Sequence, residues 1–436
     1  VKKLFIFELN EFNREMLMQA AQELNLRNIQ KVLKLNYTKL VTQDSYESNY
    51  LEPWVQWVSA HTGVSSDKHQ IKHLGDVPSL SYPQIWEIFS QQEINSGIWG
   101  PMNASRNGAK NCLFFVPDPW TFSEQAYPAE LNALLDLPRY VSKNYLNLKK
   151  SIALKKLMSL LRLIFKAGAG ASLLLELPRL LKNKIKFKNE HFVFISFIDY
   201  ISTKIFLQYK KKYDPTVSLL FLNGIAHLQH HHWHGSDYRN NKRLRYGLQY
   251  VDKALKNIFA AMDKNDIFFM MTPLSQANTN SEQPWILYRQ IDQATFLRQV
   301  GIVFQNVEPH MTYDAHVFFK TEEECQQACQ ILKAAKIKNK PLFLVEEYPE
   351  NKKKLFYRID FTEEVSASQT FEINGQILKF LEFFKVLAHR TGKHIPEGSV
   401  YSNAPNIPAL MNNHDFAHYL QQLSIDLPKT TMRVNQ

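Results

Sequence analysis

The chain has 436 residues, 45% hydrophobic and 13% aromatic, which suffices for a large buried core and excludes a mainly disordered chain. Three cysteines (Cys112, Cys325 and Cys329) cannot form a disulfide framework, and no C-x-x-C pair offers a thiolate zinc site. The formal charge of +11 is concentrated. Between Lys149 and Glu190 eleven Lys/Arg stand against two Glu, so the rest of the chain is nearly neutral and a nucleic-acid surface spread over the whole protein is excluded.

The opening VKKLFIFELNEF is broken at Glu8 and has no small-residue cleavage site, so it reads as a first strand over Lys3–Leu9 and not as a signal peptide. Phe12–Leu26 has helical spacing without Gly or Pro. Ser96–Trp99 and Cys112–Val116 are short strands, and Leu219–Leu222 is a strand with a polar end. Tyr246–Met262 carries an apolar helical stripe, and Asp266–Thr272 returns as a strand. Ala315–Phe319 reads as a strand, Glu323–Ala335 and Ile377–Leu387 as helices, and Thr391–Gly392 as a turn. Alternating strands and helices predict an α/β protein: a three-layer sandwich with a mostly parallel central sheet. The expectation is one α/β domain over 1–436 with a basic helical cap inserted at 120–189 and a smaller α/β insertion at 285–374. No stretch reaches the about 20 apolar residues that span a bilayer. With so few cysteines, the composition suits a reducing, cytoplasmic compartment.

Four segments concentrate chemistry. Glu8-Leu9-Asn10-Glu11 ends the first strand, where ligands of open α/β sheets bind. A carboxylate there can hold a metal or act as a base; the structural alternative is a helix start capped by Asn10 or Asn13, with Glu11 favouring the dipole. Glu52 to Gly63 crowds Glu52, Trp54, Gln56, Trp57, His61 and Thr62 into one span, followed by His69. Core packing of an amphipathic helix accounts for the tryptophans, but not for Glu52, Gln56 and His69 together. Asn223 to His234 holds His227, His230, His231, His232 and His234 after a buried strand. His227 and His231, or His230 and His234, are four apart, so either pair would share a helix face and could ligate one ion. Gly392-Lys-His-Ile-Pro-Glu-Gly398 presents His394 in a loop bounded by Gly and Pro.

In this order the four segments resemble the alkaline phosphatase superfamily, and within it the type I phosphodiesterase/nucleotide pyrophosphatase group. The matching features are an acidic first-strand end at Glu8, Thr62-Gly63 followed by His69, Gln229-His230 to Trp233, Phe268–Gln276, and Gly392–Gly398, with Gly97–Gly100 and Val116–Trp120 also similar. The resemblance implies hydrolysis or transfer at a phosphate ester or phosphodiester, with two metal ions about 4 Å apart flanking an in-line displacement. Several positions depart from that pattern. The nucleophile's position is Pro53, beside Glu52, and Gln56 replaces an Asn. Ala226 (or Asn223 in an alternative alignment) stands for a metal-binding Asp. An Asp-His pair is replaced by Thr272–Gln276. Two tightly held zinc ions are therefore not expected. The reading that remains places Glu8, Glu52, Gln56, Thr62 and His69 in catalysis. Asn10, Trp54, Trp57, His61, Asn223, Ser275 and Gln276 would bind substrate, a nucleotide- or lipid-linked sugar being one candidate. His227, His230 and His394 would hold one divalent ion, zinc or manganese, or no metal at all. The competing reading is an inactive descendant that binds a glycan, a phosphate ligand or a partner protein.

The basic insertion interleaves Ile152, Leu157, Leu160 and Phe165 with Lys155, Lys156, Arg162 and Lys166. Two compatible readings follow: a cap over the site, or peripheral contact of 149–188 with an anionic membrane at its inner face. Nucleic acid is not an expected partner, since no binding motif is present.

Overall fold

The computed structural model describes residues 2–45, 50–144, 148–188, 190–279, 285–309 and 313–429. The chain forms two compact units: Val1–Leu137, Lys155–Asn278 and Thr391–Gln436 make the first, and Pro138–Leu154 with Thr279–Arg390 make the second.

The first unit is built on an eight-stranded sheet. In chain order its strands are β1 (Leu4–Leu9), β2 (Asn36–Val41), β3 (Ser96–Trp99), β4 (Cys112–Val116), β5 (Val217–Leu222) and β6 (Ile267–Thr272). A separate antiparallel ribbon pairs β7 (Ser275–Asn278) with β8 (Gly392–Ile395), and β9 (Glu397–Ser402) and β10 (Leu410–Asn412) complete the sheet. The strand order is β10-β2-β9-β6-β1-β5-β3-β4. Every pairing is parallel except those of β9, which is antiparallel to β6 and β2. The central strands β1, β5 and β6 are buried at every position. A parallel strand covered on both faces has no solvent side, which is why LFIFEL, VSLLFL and IFFMMT are continuous apolar runs.

Alternation along β1 sends its side chains to two helical layers. Phe5, Phe7 and Leu9 enter a core shared with α1 (Arg14–Glu23) and α2 (Arg27–Val32). Glu8 points to the other face, toward α3 (Pro53–Thr62), where His61 meets it. The first unit is thus a three-layer α/β sandwich with a mostly parallel sheet. Helix α1 is shorter than the predicted Phe12–Leu26 because Asn13 caps it, its Oδ1 accepting from Met16 N at 2.9 Å. Pro53 opens α3, and Gly63 closes it at φ +76°, a left-handed cap suited to glycine. After α4 (Ser66–His69) and α5 (Ile85–Gln91), the chain reaches the helices of the basic segment, α6 (Asn132–Asn144), α7 (Lys150–Lys166) and α8 (Gly170–Lys186). Residues 145–147 and 189 of that expected insertion lie outside the described residues. Helix α9 (His191–Tyr213), α10 (Gly224–His232) and α11 (Lys242–Ala260) follow. The stripe Leu248, Val251, Leu255 and Ile258 of α11 is buried, as its spacing predicts, although the helix starts earlier, capped by Asn241.

The second unit holds a four-stranded antiparallel sheet in the order Phe343–Glu347, Lys354–Ile359, Asp314–Phe318, Asn306–Pro309. Helix Glu322–Ala334 begins with a Thr321/Glu324 capping box. The expected helix over Ile377–Leu387 is not formed. Gln376–Lys379 is a strand, Phe380–Phe383 a single helical turn, and Phe384–Arg390 a strand paired with Trp285–Gln290. Phe380 and Phe384 stack at 4.6 Å inside the unit's core, so an apolar spacing of four marks a turn between two strands and not a longer helix.

Candidate metal centre

Three side chains converge beyond the carboxyl ends of β1, β5 and β6. Glu11 lies two residues past β1, and His230 lies on α10, which follows β5. His394 lies on β8, directly opposite Gln276 of β7, which follows β6. His394 is therefore held in a strand, not in the loop its Gly- and Pro-rich surroundings suggest. Glu11 Oε2 is 3.0 Å from His230 Nε2 and 3.0 Å from His394 Nε2, and the two Nε2 atoms are 3.2 Å apart. Glu52, just before α3, places Oε2 3.3 Å from His394 Nδ1.

The loop carrying Glu11 is strained and tied down. Glu11 has φ +58°, a left-handed conformation that costs a residue with a Cβ about 1 kcal/mol or more. Its N–H donates to Thr272 Oγ1 at 2.8 Å, and its carbonyl accepts from Gln229 Nε2 at 2.6 Å. Gln229 Oε1 in turn accepts from Asn13 N at 2.9 Å. Gln276 Nε2 donates to Glu11 Oε2 at 2.5 Å, and Asn10 Nδ2 to Oε1 at 2.8 Å. The end of α10 is clamped to β8 by Thr391, whose N–H donates to the His230 carbonyl and whose hydroxyl donates to the Gln229 carbonyl. These are carbonyls that a helix end leaves without internal partners. Gly392 permits this approach, since a Cβ there would lie 2.2 Å from Gln276 Oε1 and 2.8 Å from the Gln229 carbonyl.

The electrostatics are those of a buried carboxylate facing two imidazoles. Burial raises the Glu11 carboxyl, but His394 and His230 outweigh it and hold it well below the usual carboxylate range. Burial lowers His394, but the carboxylates of Glu11 and Glu52 on its two nitrogens raise it from 6.5 to about 10.

The donor set suits a divalent ion. A carboxylate oxygen and two imidazole nitrogens form a borderline N2O set, and three ligands on a tetrahedral ion at about 2.0 Å lie about 3.3 Å apart, close to the spacing seen. Each imidazole is oriented through its other nitrogen. His230 Nδ1 donates to the Gly392 carbonyl at 3.2 Å, leaving the Nε2 lone pair toward the cluster, while Glu52 flanks His394 Nδ1. Such outer partners fix tautomer and ring plane in metal sites. Among the described residues these three are the group found to converge in this way.

The other candidates are placed as follows. Glu8 is 1% exposed and bonds His61 Nε2 at 2.7 Å, with His61 between the rings of Trp57 and Trp86. It pairs with His61 alone, with Glu8 Oε2 and His61 Nδ1 buried without a hydrogen-bond partner, and Glu11 takes the position at the imidazoles. Gln56 Nε2 donates to Asp44 at 2.6 Å and to the Tyr50 carbonyl at 2.8 Å, and its Oε1 accepts from Asn413. Thr62 bonds the Val58 carbonyl within α3. His69 Nδ1 accepts from Ile71 N at 3.0 Å and Nε2 meets Ser59 Oγ at 3.0 Å; burial pushes it down to about 4, so it is a neutral structural bridge. Trp54 donates to the Lys72 carbonyl. Trp57 is fully buried and donates to Asn10 Oδ1 at 2.7 Å, so it supports Asn10 and offers no stacking face. Asn10 also donates to Asn223 Oδ1 at 2.7 Å. Ser275 is buried on β7 beside Gln276. His227, expected with His230 and His394, lies outside the convergent group. It shares a face of α10 with His231, four residues on, their rings 6.1 Å apart. His234 lies past the end of α10, so it shares no helix face with His230.

No protein-family model matches this sequence, and no curated protein does. Among solved structures the chain is similar to murine ectonucleotide pyrophosphatase/phosphodiesterase 5, at 11% identity and a TM-score of 0.46, covering 99% of this chain and 96% of that one. An inactive form of that murine protein in complex with AMP is 10% identical with a TM-score of 0.45, over 99% and 96% of the two chains. Phosphonoacetate hydrolase from Sinorhizobium meliloti 1021, in complex with phosphonoformate, is 11% identical with a TM-score of 0.45, over 97% and 95%.

Proposed function

We propose that this chain is a hydrolase of a phosphate ester or phosphodiester that works with one divalent ion, zinc or manganese, held by Glu11, His230 and His394. The observation that carries the reading is the convergence of three donor atoms within 3.2 Å of one another at the carboxyl edge of a parallel sheet. The order of segments resembling phosphodiesterases supports the same reaction class. A divalent ion at such a site supplies Lewis-acid polarisation of a phosphoryl oxygen and a more acidic bound water.

The chain's own groups then divide the remaining work. Glu52 Oε2 flanks His394 Nδ1, on the side of the ring away from Nε2, and keeps that ring in place. Pro53 follows it and has no nucleophilic atom, so water is the attacking group in this reading. Gln276 and Asn10 hold the Glu11 carboxylate in one orientation. Asn223, its Oδ1 already taken by Asn10, has its amide N–H groups left to offer a phosphoryl oxygen in this reading. The finer reading of the substrate is a nucleotide- or lipid-linked sugar phosphate.

The test is hydrolysis of bis(p-nitrophenyl) phosphate and p-nitrophenyl phosphate by chelator-stripped protein, with and without added zinc or manganese. Metal-dependent turnover that disappears in His394→Ala supports the proposal. A folded protein with no turnover at any metal concentration refutes it and leaves a binding role.

A further inference from the structure

Helix α8 has two apolar stripes where a helix packed on a globular core needs one. Leu173, Leu180 and Phe187 face inward, with Phe187 against Phe192 and Tyr246 of the neighbouring helices. On the opposite side Leu174, Pro178, Leu181 and Ile185 follow one another at spacings of four, three and four, with Leu175 beside them. Leu174 and Leu181 are 57% and 54% exposed, and Leu175 and Ile185 are 80% and 81% exposed. The stripe continues onto α7, where Met158 and Phe165 are also exposed. The Phe165 ring lies against Gly170 at the start of α8, where a Cβ would come within 2.3 Å of it.

Charge within this segment is almost all of one sign, although Lys156 and Lys166 of α7 meet Asp136 and Glu130. Residues 155–188 hold nine Lys/Arg and a single acid, Glu176. Glu176 is turned inward, bonded by Tyr250 at 3.1 Å and by Lys253. Lys155, Arg162, Lys182 and Lys188 have no carboxylate partner among the described residues, and all four are exposed. No helix among the described residues is long and apolar enough to cross a membrane. Exposed leucines flanked by unpaired lysines, on helices too polar to span, match the surface of an anionic bilayer: acyl chains take the stripe and headgroup phosphates take the lysines.

We infer that the outward face of α7 and α8 within residues 155–188 docks on an anionic lipid bilayer with both helices lying in the interface. The inference is independent of the metal centre, since docking can persist in a chain that hydrolyses nothing. It is tested by flotation of the full chain with vesicles of pure phosphatidylcholine and with vesicles containing about 30% phosphatidylglycerol, at about 0.15 M salt. The wild-type chain is expected to float with the anionic vesicles and to bind the neutral ones about tenfold or more weakly. Leu175→Gln/Leu181→Gln/Ile185→Gln, which touches only exposed positions, should lose about tenfold or more on anionic vesicles at unchanged circular dichroism. Lys182→Gln/Lys186→Gln should lose most of the preference for anionic lipid. Failure of the wild-type chain to float with anionic vesicles overturns the inference, as does undiminished flotation of the triple leucine/isoleucine variant. So does a lipid-free dimer that the triple variant dissociates, because the face would then belong to a second copy of the chain.

Discussion

Glu8 and Glu11 are three residues apart, both buried, and both meet histidine, yet they build different things. Glu8 is inside β1, in register with Phe221 and Met271, so the strand fixes its direction and delivers it to one imidazole, His61. That pair is enclosed by Trp57 and Trp86. Glu11 lies past the strand, in a left-handed conformation held by Thr272 and Gln229, and it faces two imidazoles whose other nitrogens already have partners. The first arrangement is a single carboxylate–imidazole contact inside the core, with Glu8 Oε2 and His61 Nδ1 buried without a hydrogen-bond partner. The second aims three donor atoms at one point. The difference teaches that a carboxylate at a strand end gains chemistry from where the chain leaves the sheet, not from being the first acid on it.

The largest effect should come from breaking the convergent site. Glu11→Ala should lower metal-dependent phosphodiester hydrolysis about a thousandfold or more, measured as initial rates at saturating metal, and should also lower the unfolding midpoint, because Asn10, Gln276 and two imidazoles lose a buried partner. Breaking the Glu8–His61 pair should cost stability alone. Glu8→Ala leaves the His61 side chain buried without its partner, so stability should fall by about 3 kcal/mol in denaturant titration, with metal stoichiometry kept. A Glu8 variant that also lost its metal stoichiometry would erase the distinction. Smaller again, Glu52→Gln removes the charge beside His394 Nδ1 and should weaken metal binding about 10–100-fold by calorimetry.

A further effect is pH dependence in the metal-free protein. His394 is raised to about 10 from 6.5, so its contribution to stability is complete below about 6.5 and is lost as pH rises toward about 10. Glu11 is depressed, so its contribution is present above its unfolded value near 4.5 and is lost as pH falls through the folded one. Thermal scans without metal should show a midpoint that declines on the alkaline side. Saturating metal should flatten that decline, because metal displaces the His394 proton.

Much of this was legible in the sequence. The continuous apolar runs of β1 and β6 announce buried parallel strands, and the stripe of α11 announces its packed face. His230, His394, Glu52 and Gln276 were visible as unusual residues at element ends. The direction of Glu11 was not, because a positive φ on a glutamate leaves no mark in composition or spacing. His227 and His230 look equivalent in a run of histidines, and only the clamp of Thr391 on the end of α10, with Gly392 behind it, selects His230. Gln56 and His69 look catalytic in a crowded span, but their hydrogen-bond partners are Asp44, Asn413 and Ser59, far along the chain or hidden by the helix turn. The apparent helix over Ile377–Leu387 failed for a related reason: paired phenylalanines four apart suit a stacked turn between strands as well as a helix face.

The most direct test of the central claim is calorimetric titration of zinc, then manganese, into chelator-stripped full-length protein, beside His230→Ala/His394→Ala and Glu8→Gln. The account predicts one ion per chain in the wild-type protein and in Glu8→Gln, and none in the double histidine variant. Binding that survives loss of both histidines, or a folded wild-type protein that takes up no ion, would contradict it.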